Sequence, residues 1–266
     1  MIPFPKALKL TTLAALACAF SAGAAEAPPK QIDVKKLTKR VDEVVVPLPN
    51  EVFGALNKIG NVNWKDYVRN GKGSNFTERP RIALLLGTVI ADGFIAVQAE
   101  DAPTVKDIGQ RVLGLAKGIG VQSSITQHAK AITEAADKRN WPTVRQELDR
   151  TQNSVQQAMR EVDDEKLSHL VSLGGWLRGT EVLTSVVNKR FSPDGAELLH
   201  QPDLLGYFEE RLSQMPQFNS KLLQDIRAAL GEVRPLIDVG DANISAESVK
   251  RINEITTRLD EAIVTK

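Results

Sequence analysis

Apolar residues recur at every third or fourth position along most of this chain, which is the spacing of one face of an α-helix. From residue 81 onward, this spacing predicts eight helices separated by short polar or proline-containing segments. Their predicted ranges are 81–99, 103–118, 123–138, 141–162, 166–190, 204–212, 220–237 and 245–263. Strand-like alternation is almost lacking, so the predicted fold class is all-α, a compact multi-helix bundle.

Shorter helical elements are predicted before residue 81. One helix is predicted ahead of the first proline pair, on apolar residues spaced by three or four: Val34, Leu37, Val41 and Val44. A second is predicted over 50–59. The segment 69–75 contains two glycines and is predicted to be a loop.

Two of the predicted helices, 81–99 and 166–190, are apolar over most of their circumference, which is typical of helices at the centre of a core. A membrane span is the alternative for the first. Its apolar run, 82–97, is shorter than the roughly 20 residues that a bilayer needs, and it contains a carboxylate. The remaining helices are amphipathic, and 141–162 and 245–263 are polar enough to be predicted on the outside.

The order buried, amphipathic, amphipathic, outer occurs twice along the chain. Segment 86–93 also resembles segment 173–179, which is one residue shorter. These features predict two quasi-repeated four-helix halves, 76–163 and 164–266, that share a core within a single all-helical domain, 34–266. Coincidence is the alternative, because Leu-Gly pairs are common.

The N-terminal residues have the pattern of a secretory signal. Lys6 and Lys9 precede an apolar run, and small residues follow as far as Ala25. We therefore expect residues 1–25 to be a cleaved signal peptide and 26–33 to be a linker. The expected location is the periplasm, with secretion as the alternative.

The single cysteine, Cys18, lies inside the predicted signal. A lipoprotein signal would have leucine three positions before the cysteine, and that position holds Ala15, so lipidation is the less favoured interpretation. The mature chain then has no cysteine. Disulfides, thiol catalysis and iron–sulfur clusters are excluded.

Composition and charge narrow the class of protein. Apolar residues make up 42% and charged residues 25% of the chain, and the net charge is +1. This is an ordinary globular composition. The small net charge argues against a nucleic-acid partner, because such proteins usually carry a strong basic bias. No stable membrane insertion is expected once the signal has been removed.

Two opposite charges lie on apolar or small faces of the buried helices. An isolated buried charge costs several kcal/mol, so Asp92 and Arg178 are expected to meet or to share one polar network. Glu181 is one turn from Arg178 and is expected to join it. The favoured interpretation is that this cluster fixes helix register, and the alternative is a ligand site built on a guanidinium and a carboxylate.

The same two helices contain five interior glycines. Each costs about 1 kcal/mol relative to alanine, so a compensating contact is needed. We expect these glycines to allow close packing between the two buried helices: Gly87, Gly93, Gly174, Gly175 and Gly179.

Sequence motifs for catalysis or cofactor binding are not found. There is no P-loop, no dinucleotide-binding glycine motif and no serine elbow, and no Ser-His-Asp arrangement can be argued from spacing. One Glu-x-x-His motif ends at His200, whereas a di-iron bundle needs two. His128 borders an apolar stripe and is interpreted as a half-buried structural residue. No catalytic, metal-binding or cofactor-binding residue is therefore predicted.

The sequence leaves three classes of function open. The first is a non-enzymatic binding or scaffold protein of the cell envelope, whose partner could be another envelope protein. The second is a small-ligand carrier or sensor that uses Asp92 and Arg178. The third is an enzyme of undetermined class. An apolar groove on the surface would favour the first, and a cavity reaching the Asp92–Arg178 pair would favour the second.

Overall fold

Most of the described residues lie in α-helices, as the apolar spacing predicted. The structure is a computed structural model of the 266-residue chain, and it describes residues 38–41, 44–47, 49–59, 62–69, 76–161 and 164–265. The described helices belong to one unit that spans Ile32–Lys266. The predicted all-α class is confirmed. The predicted signal peptide and linker lie outside the described residues.

The helix boundaries fall within a few residues of the predicted ones. The helices are α1 (Pro49–Ile59), α2 (Arg79–Gln98), α3 (Ala102–Gly118), α4 (Gln122–Asp137), α5 (Trp141–Glu161), α6 (Glu165–Lys189), α7 (Pro193–Glu197), α8 (Pro202–Ser213), α9 (Lys221–Ile237) and α10 (Ala246–Val264). A 3₁₀ turn, Trp64–Tyr67, lies between α1 and α2. The short α7 lies in a segment predicted only as a connection, and α9 continues past Pro235 to Ile237.

Five of the described helices, α3, α6, α7, α9 and α10, begin at a side chain that accepts a hydrogen bond from a backbone N–H group with no partner inside the helix. Asp101 accepts from the amide of Thr104 at 3.1 Å. Ser245 likewise accepts from the amide of Ser248 at 3.0 Å. By contrast, α4 begins at Gln122, one residue before its predicted start, and its N-cap residue makes no such bond.

The helix predicted across Val34–Val44 is wrong for the part that the structure describes. Strand β1 (Thr38–Val41) pairs antiparallel with β2 (Val44–Pro47), so that Thr38 faces Pro47 and Val41 faces Val44. Three consecutive valines open β2, and β-branched residues favour strands over helices. Over so short a stretch, spacing alone does not separate the two structures.

Helices α2 and α6 form the centre of the bundle. Every residue of α2 from Ile82 to Val97 is buried. Helices α3 and α5 contact α2, α4 packs between α3 and α5, α10 packs on α6, and α9 links α10 to α8. The predicted correspondence between the two halves stays a prediction.

Within the described residues, α2 is the one helix that is long and apolar enough to cross a membrane. However, 89% of its most apolar window is buried inside the protein. A core helix of a globular domain has the same composition and length, and the surrounding helices provide the apolar environment that α2 requires.

Candidate functional site

Two glycines bring the backbones of α2 and α6 together. A β-carbon added to Gly87 would overlap the carbonyl oxygen of Val171, and one added to Gly174 would overlap the carbonyl oxygen of Leu84. A β-carbon at Gly175 would lie 3.4 Å from the carbonyl oxygen of Gly87. These three positions pack at the α2–α6 crossing as the sequence predicted.

The other two glycines, Gly93 and Gly179, do not lie at the contact between α2 and α6, so the prediction for them is wrong. A β-carbon at Gly93 would lie 3.4 Å from side-chain atoms of both Ile108 and Leu148, so this glycine faces α3 and α5. Gly93 is six residues after Gly87 and therefore projects from a different side of the helix. A β-carbon added to Gly179 would meet no neighbouring atom within 4 Å. Gly179 instead borders an open cavity between the helices.

The predicted charge pair is present on the two central helices. The Nε of Arg178 donates to Oδ1 of Asp92 at 2.7 Å, and both residues are 3% exposed. The same guanidinium donates to the carboxylate of Glu181 and, at 2.7 Å, to the carbonyl oxygen of Tyr67. The structure thus brings together all three residues predicted to form a polar network.

Two further residues complete this network, and sequence reasoning missed both. Arg69 donates from Nε and Nη2 to the two oxygens of Asp92, at 3.2 and 3.1 Å, and from Nη1 to the carboxylate of Asp260. Asp260 lies on α10, which was predicted to be an outer helix, but its side chain is only 4% exposed. One signal could have found it: Asp260 is four residues after Thr256 and eight after Ile252, on the buried stripe of the helix.

The five-residue network contains three carboxylates and two guanidiniums. Burial raises the pKa of Asp260 to about 6, and although Arg69 and Arg178 oppose the rise, Asp92 and Glu181 add to it. The Oδ1 atom of Asp260 is buried and has no hydrogen-bond partner among the described residues. A proton on Asp260 would make the cluster neutral, which a poorly solvated environment favours.

The network joins the segment 62–69 to α2, α6 and α10. Three cavities stand out in the described part of the chain, and none is lined by any of the five network residues. This arrangement supports a structural role, in which the charges fix the relative positions of the elements that carry them.

The candidate site is a groove on another side of the α2–α6 crossing. It has a cavity volume of about 110 Å³, and α1, α2, α5, α6 and α8 contribute its walls. We call it the apolar groove. Its aromatic lining consists of Phe53, Phe94, Trp176, Tyr207 and Phe208.

Small residues produce the apolar groove. Gly87 and Ala91 are one turn apart on α2, and Gly175 and Gly179 are one turn apart on α6. Such positions share a helix face, so each helix presents a strip without bulky side chains. The backbones touch at Gly87 and Gly175, and the open space beside Gly179 is part of the groove.

None of the nineteen residues that line the apolar groove is charged. Its polar members are neutral: Gln152, Gln156, Ser172, Thr180, Gln201 and Tyr207. The indole N–H of Trp176 donates to Gln201 at 3.1 Å, and the hydroxyl of Tyr207 hydrogen-bonds to His169 at 2.7 Å. Because these two polar groups already have protein partners, the groove offers a ligand mainly apolar surface.

The other two cavities have a different character. One, of about 360 Å³, is lined by charged residues that include Lys65, Glu100 and Arg139. Another, of about 190 Å³, lies beside Tyr67 and Lys189. Among the described residues, no group of three or more histidine, cysteine, aspartate or glutamate side chains could hold a metal ion.

Comparison with protein-family models, with curated proteins and with solved structures finds no match to this chain. An all-α bundle hosts many unrelated activities, so the fold does not identify one. The site itself therefore has to carry any functional conclusion.

Proposed function

We propose that this is an exported binding protein of the cell envelope, which holds an uncharged linear apolar ligand in the apolar groove. The observation that carries the proposal is the uncharged lining of the groove. The signal-like pattern of residues 1–25 supports export. A non-enzymatic binding protein was the first of the three functions that the sequence left open. A small-ligand carrier was the second, but it was expected at Asp92 and Arg178, which do not line the groove.

The size of the apolar groove favours a linear hydrocarbon chain as its ligand. Drug-sized ligands usually occupy about 300–1,000 Å³, and a closed apolar cavity of about 150 Å³ holds one benzene. The groove has about 110 Å³, yet nineteen residues line it, eighteen of them from five helices. A small volume spread along many residues suits a hydrocarbon chain better than a ring system.

The exposed surface of the protein also favours a small ligand over a protein partner. A stable protein interface buries about 800 Å² on each side and has large apolar or aromatic residues at its centre. Among the described residues, the one large hydrophobic side chain that is exposed is Phe191. The apolar surface suited to recognition is therefore concentrated inside the groove.

The uncharged lining makes a quantitative prediction about affinity. Each buried CH₂ group contributes about 0.8 kcal/mol, which corresponds to about a fourfold change in Kd. Affinity should therefore rise about fourfold with each methylene of the ligand until the groove is filled. It should not respond to salt, because no charged residue lines the groove.

The test is calorimetric titration of the purified mature protein with n-alkanols from hexan-1-ol to dodecan-1-ol. The expected result is a stepwise fall in Kd followed by a plateau, with the same values at low and high salt. Dodecanoate is the matched charged probe. Binding of dodecanoate alone, weakening as salt is added, would contradict the proposal, as would the absence of binding by every alkanol.

A further inference from the structure

Three polar side chains form a linear relay on helices α4 and α5. The Nδ1 atom of His128, on α4, lies 2.9 Å from Oε2 of Glu147, on α5. The Nε2 atom of the same imidazole lies 3.0 Å from the hydroxyl oxygen of Ser154, also on α5. Sequence spacing gave no such arrangement, because the three residues come together only when the two helices pack.

The helices place these residues by regular geometry. Glu147 and Ser154 are seven residues apart, which is two turns of α5, so their side chains project from the same face. The imidazole of His128 fits between them from the neighbouring helix and is 23% exposed. One ring nitrogen therefore faces the carboxylate and the other faces the hydroxyl.

Glu147 is held in its ionised form. Burial alone would raise its pKa, but hydrogen bonds from His128 and from Arg150 outweigh that effect and lower the pKa below its usual range. The Nη1 atom of Arg150 lies 2.5 Å from Oε1 of Glu147. An ionised carboxylate at Nδ1 favours the imidazole tautomer with the proton on Nδ1, which leaves Nε2 free to accept a proton from Ser154.

We propose that Ser154 is a nucleophile, with His128 as its general base and Glu147 as the carboxylate that orients the imidazole. This is the order of roles in a Ser-His-carboxylate triad, which is recognised by geometry and not by position in the sequence. The inference concerns a face of α5 other than the one that lines the apolar groove, and it is independent of the proposed binding function.

The reaction is acyl transfer from an ester to Ser154. The hydroxyl oxygen of Ser154 attacks the ester carbonyl carbon while its proton passes to Nε2 of His128. The bond from that carbon to the leaving-group oxygen then breaks, and the leaving group takes the proton from His128. Water, deprotonated by His128, attacks the acyl-serine, releases the carboxylic acid and restores the hydroxyl of Ser154.

The position of Ser154 inside α5 restricts the class of donor. Its backbone N–H is part of the helix, so it cannot bind the developing oxyanion as backbone donors do in serine hydrolases. A donor with a leaving group that departs readily depends least on such stabilisation. The structure therefore points to activated donors, namely aryl esters and, as covalent probes, fluorophosphonates, and not to amides.

A fluorophosphonate tests the proposal directly. The purified mature protein is incubated with the probe, and adducts are located by intact mass and peptide mapping. The expected result is a single adduct on Ser154, absent from Ser154→Ala. General bases contribute about 10²–10⁴ in rate, so His128→Gln should label about 100-fold more slowly. Labelling of Glu147→Gln should also be slower than labelling of the wild-type protein.

Matched controls separate a nucleophile from a structural contact. Ser213 is exposed on α8, lies outside the apolar groove, and its hydroxyl donates to the backbone carbonyl oxygen of Glu210 at 2.6 Å. Ser213→Ala should label on Ser154 at the wild-type rate, and thermal melts should show that each variant is folded. No adduct at Ser154 in the folded wild-type protein, or equal labelling in folded His128→Gln, would overturn the proposal.

Discussion

Replacing Asp260 by asparagine should make the protein more stable at neutral pH. This result would be unusual, because removing a buried acid that pairs with an arginine normally costs stability. Here the network has three carboxylates for two guanidiniums, and one oxygen of Asp260 is buried with no partner among the described residues. Asparagine keeps an oxygen for Arg69 and removes the surplus negative charge.

The magnitude follows from the pKa of Asp260. Burial raises it from 3.8 to about 6 in the folded protein, so the folded state binds more protons than the unfolded state between these two pH values. The contribution of Asp260 to stability is therefore fully present below about pH 4 and is lost as the pH rises through 6. A difference of about two pH units, at 1.36 kcal/mol each, corresponds to about 3 kcal/mol.

The assay is urea unfolding of wild type and Asp260→Asn across this pH range, with the free energy of unfolding compared at each pH. The free energy of the variant minus that of the wild type should rise by about 3 kcal/mol between the acidic and neutral ends. Asp241→Asn, at an exposed position, controls for loss of one negative charge. A difference that stays flat, or falls as pH rises, would show that Asp260 has no raised pKa in the folded protein.

The remaining predictions concern the central helices. Gly87→Ala should destabilise the protein by about 3 kcal/mol or more, because its β-carbon would overlap the backbone at Val171, whereas Gly179→Ala should stabilise it by about 0.5–1 kcal/mol. Thermal and urea unfolding should show a lower free energy of unfolding for Gly87→Ala and a higher one for Gly179→Ala. Changes of the same sign in both variants would contradict the packing described for these two glycines. Arg178→Met should cost about 3–5 kcal/mol, because it leaves buried carboxylates unpaired. A loss below about 1 kcal/mol in urea unfolding would show that the network does not stabilise the fold.

Local sequence patterns predicted much of the fold and part of the charged network. A helix has a period that shows within a dozen residues, so α2 and α6 could be identified from their nearly continuous apolar stretches. The same reasoning gave the Asp92–Arg178 contact. Each charge interrupts an apolar face and has to be compensated, and the other central helix carries a charge of opposite sign.

What could not be predicted depends on contacts between distant segments. Arg69 belongs to a segment without periodicity, and its role follows only from where that segment crosses α2 and α10. Asp260 lies on α10, which is polar on average and was therefore predicted on the outside, although one of its faces is buried. The relay of His128 joins residues on two helices whose packing fixes their distances.

The apolar groove was not predictable for a related reason. Sequence reasoning assigned Gly175 and Gly179 equally to helix packing, because both are small residues on one face of α6. Whether a small residue touches a neighbouring backbone or borders open space depends on where the helix axes diverge. The structure shows contact at Gly175 and open space at Gly179, and periodicity contains no information on that difference.

Whether the apolar groove is the binding site is decided by dodecan-1-ol binding to Gly179→Leu, with Gly231→Leu as its matched control. Both glycines are interior to a helix and have no atom near the position of a β-carbon, but Gly179 lines the apolar groove and Gly231 is exposed on α9. The leucine at position 179 should fill the groove and weaken binding at least about tenfold, a change of about 1.4 kcal/mol, while Gly231→Leu should bind like the wild type. Wild-type affinity in a folded Gly179→Leu protein would contradict the assignment of the groove as the binding site.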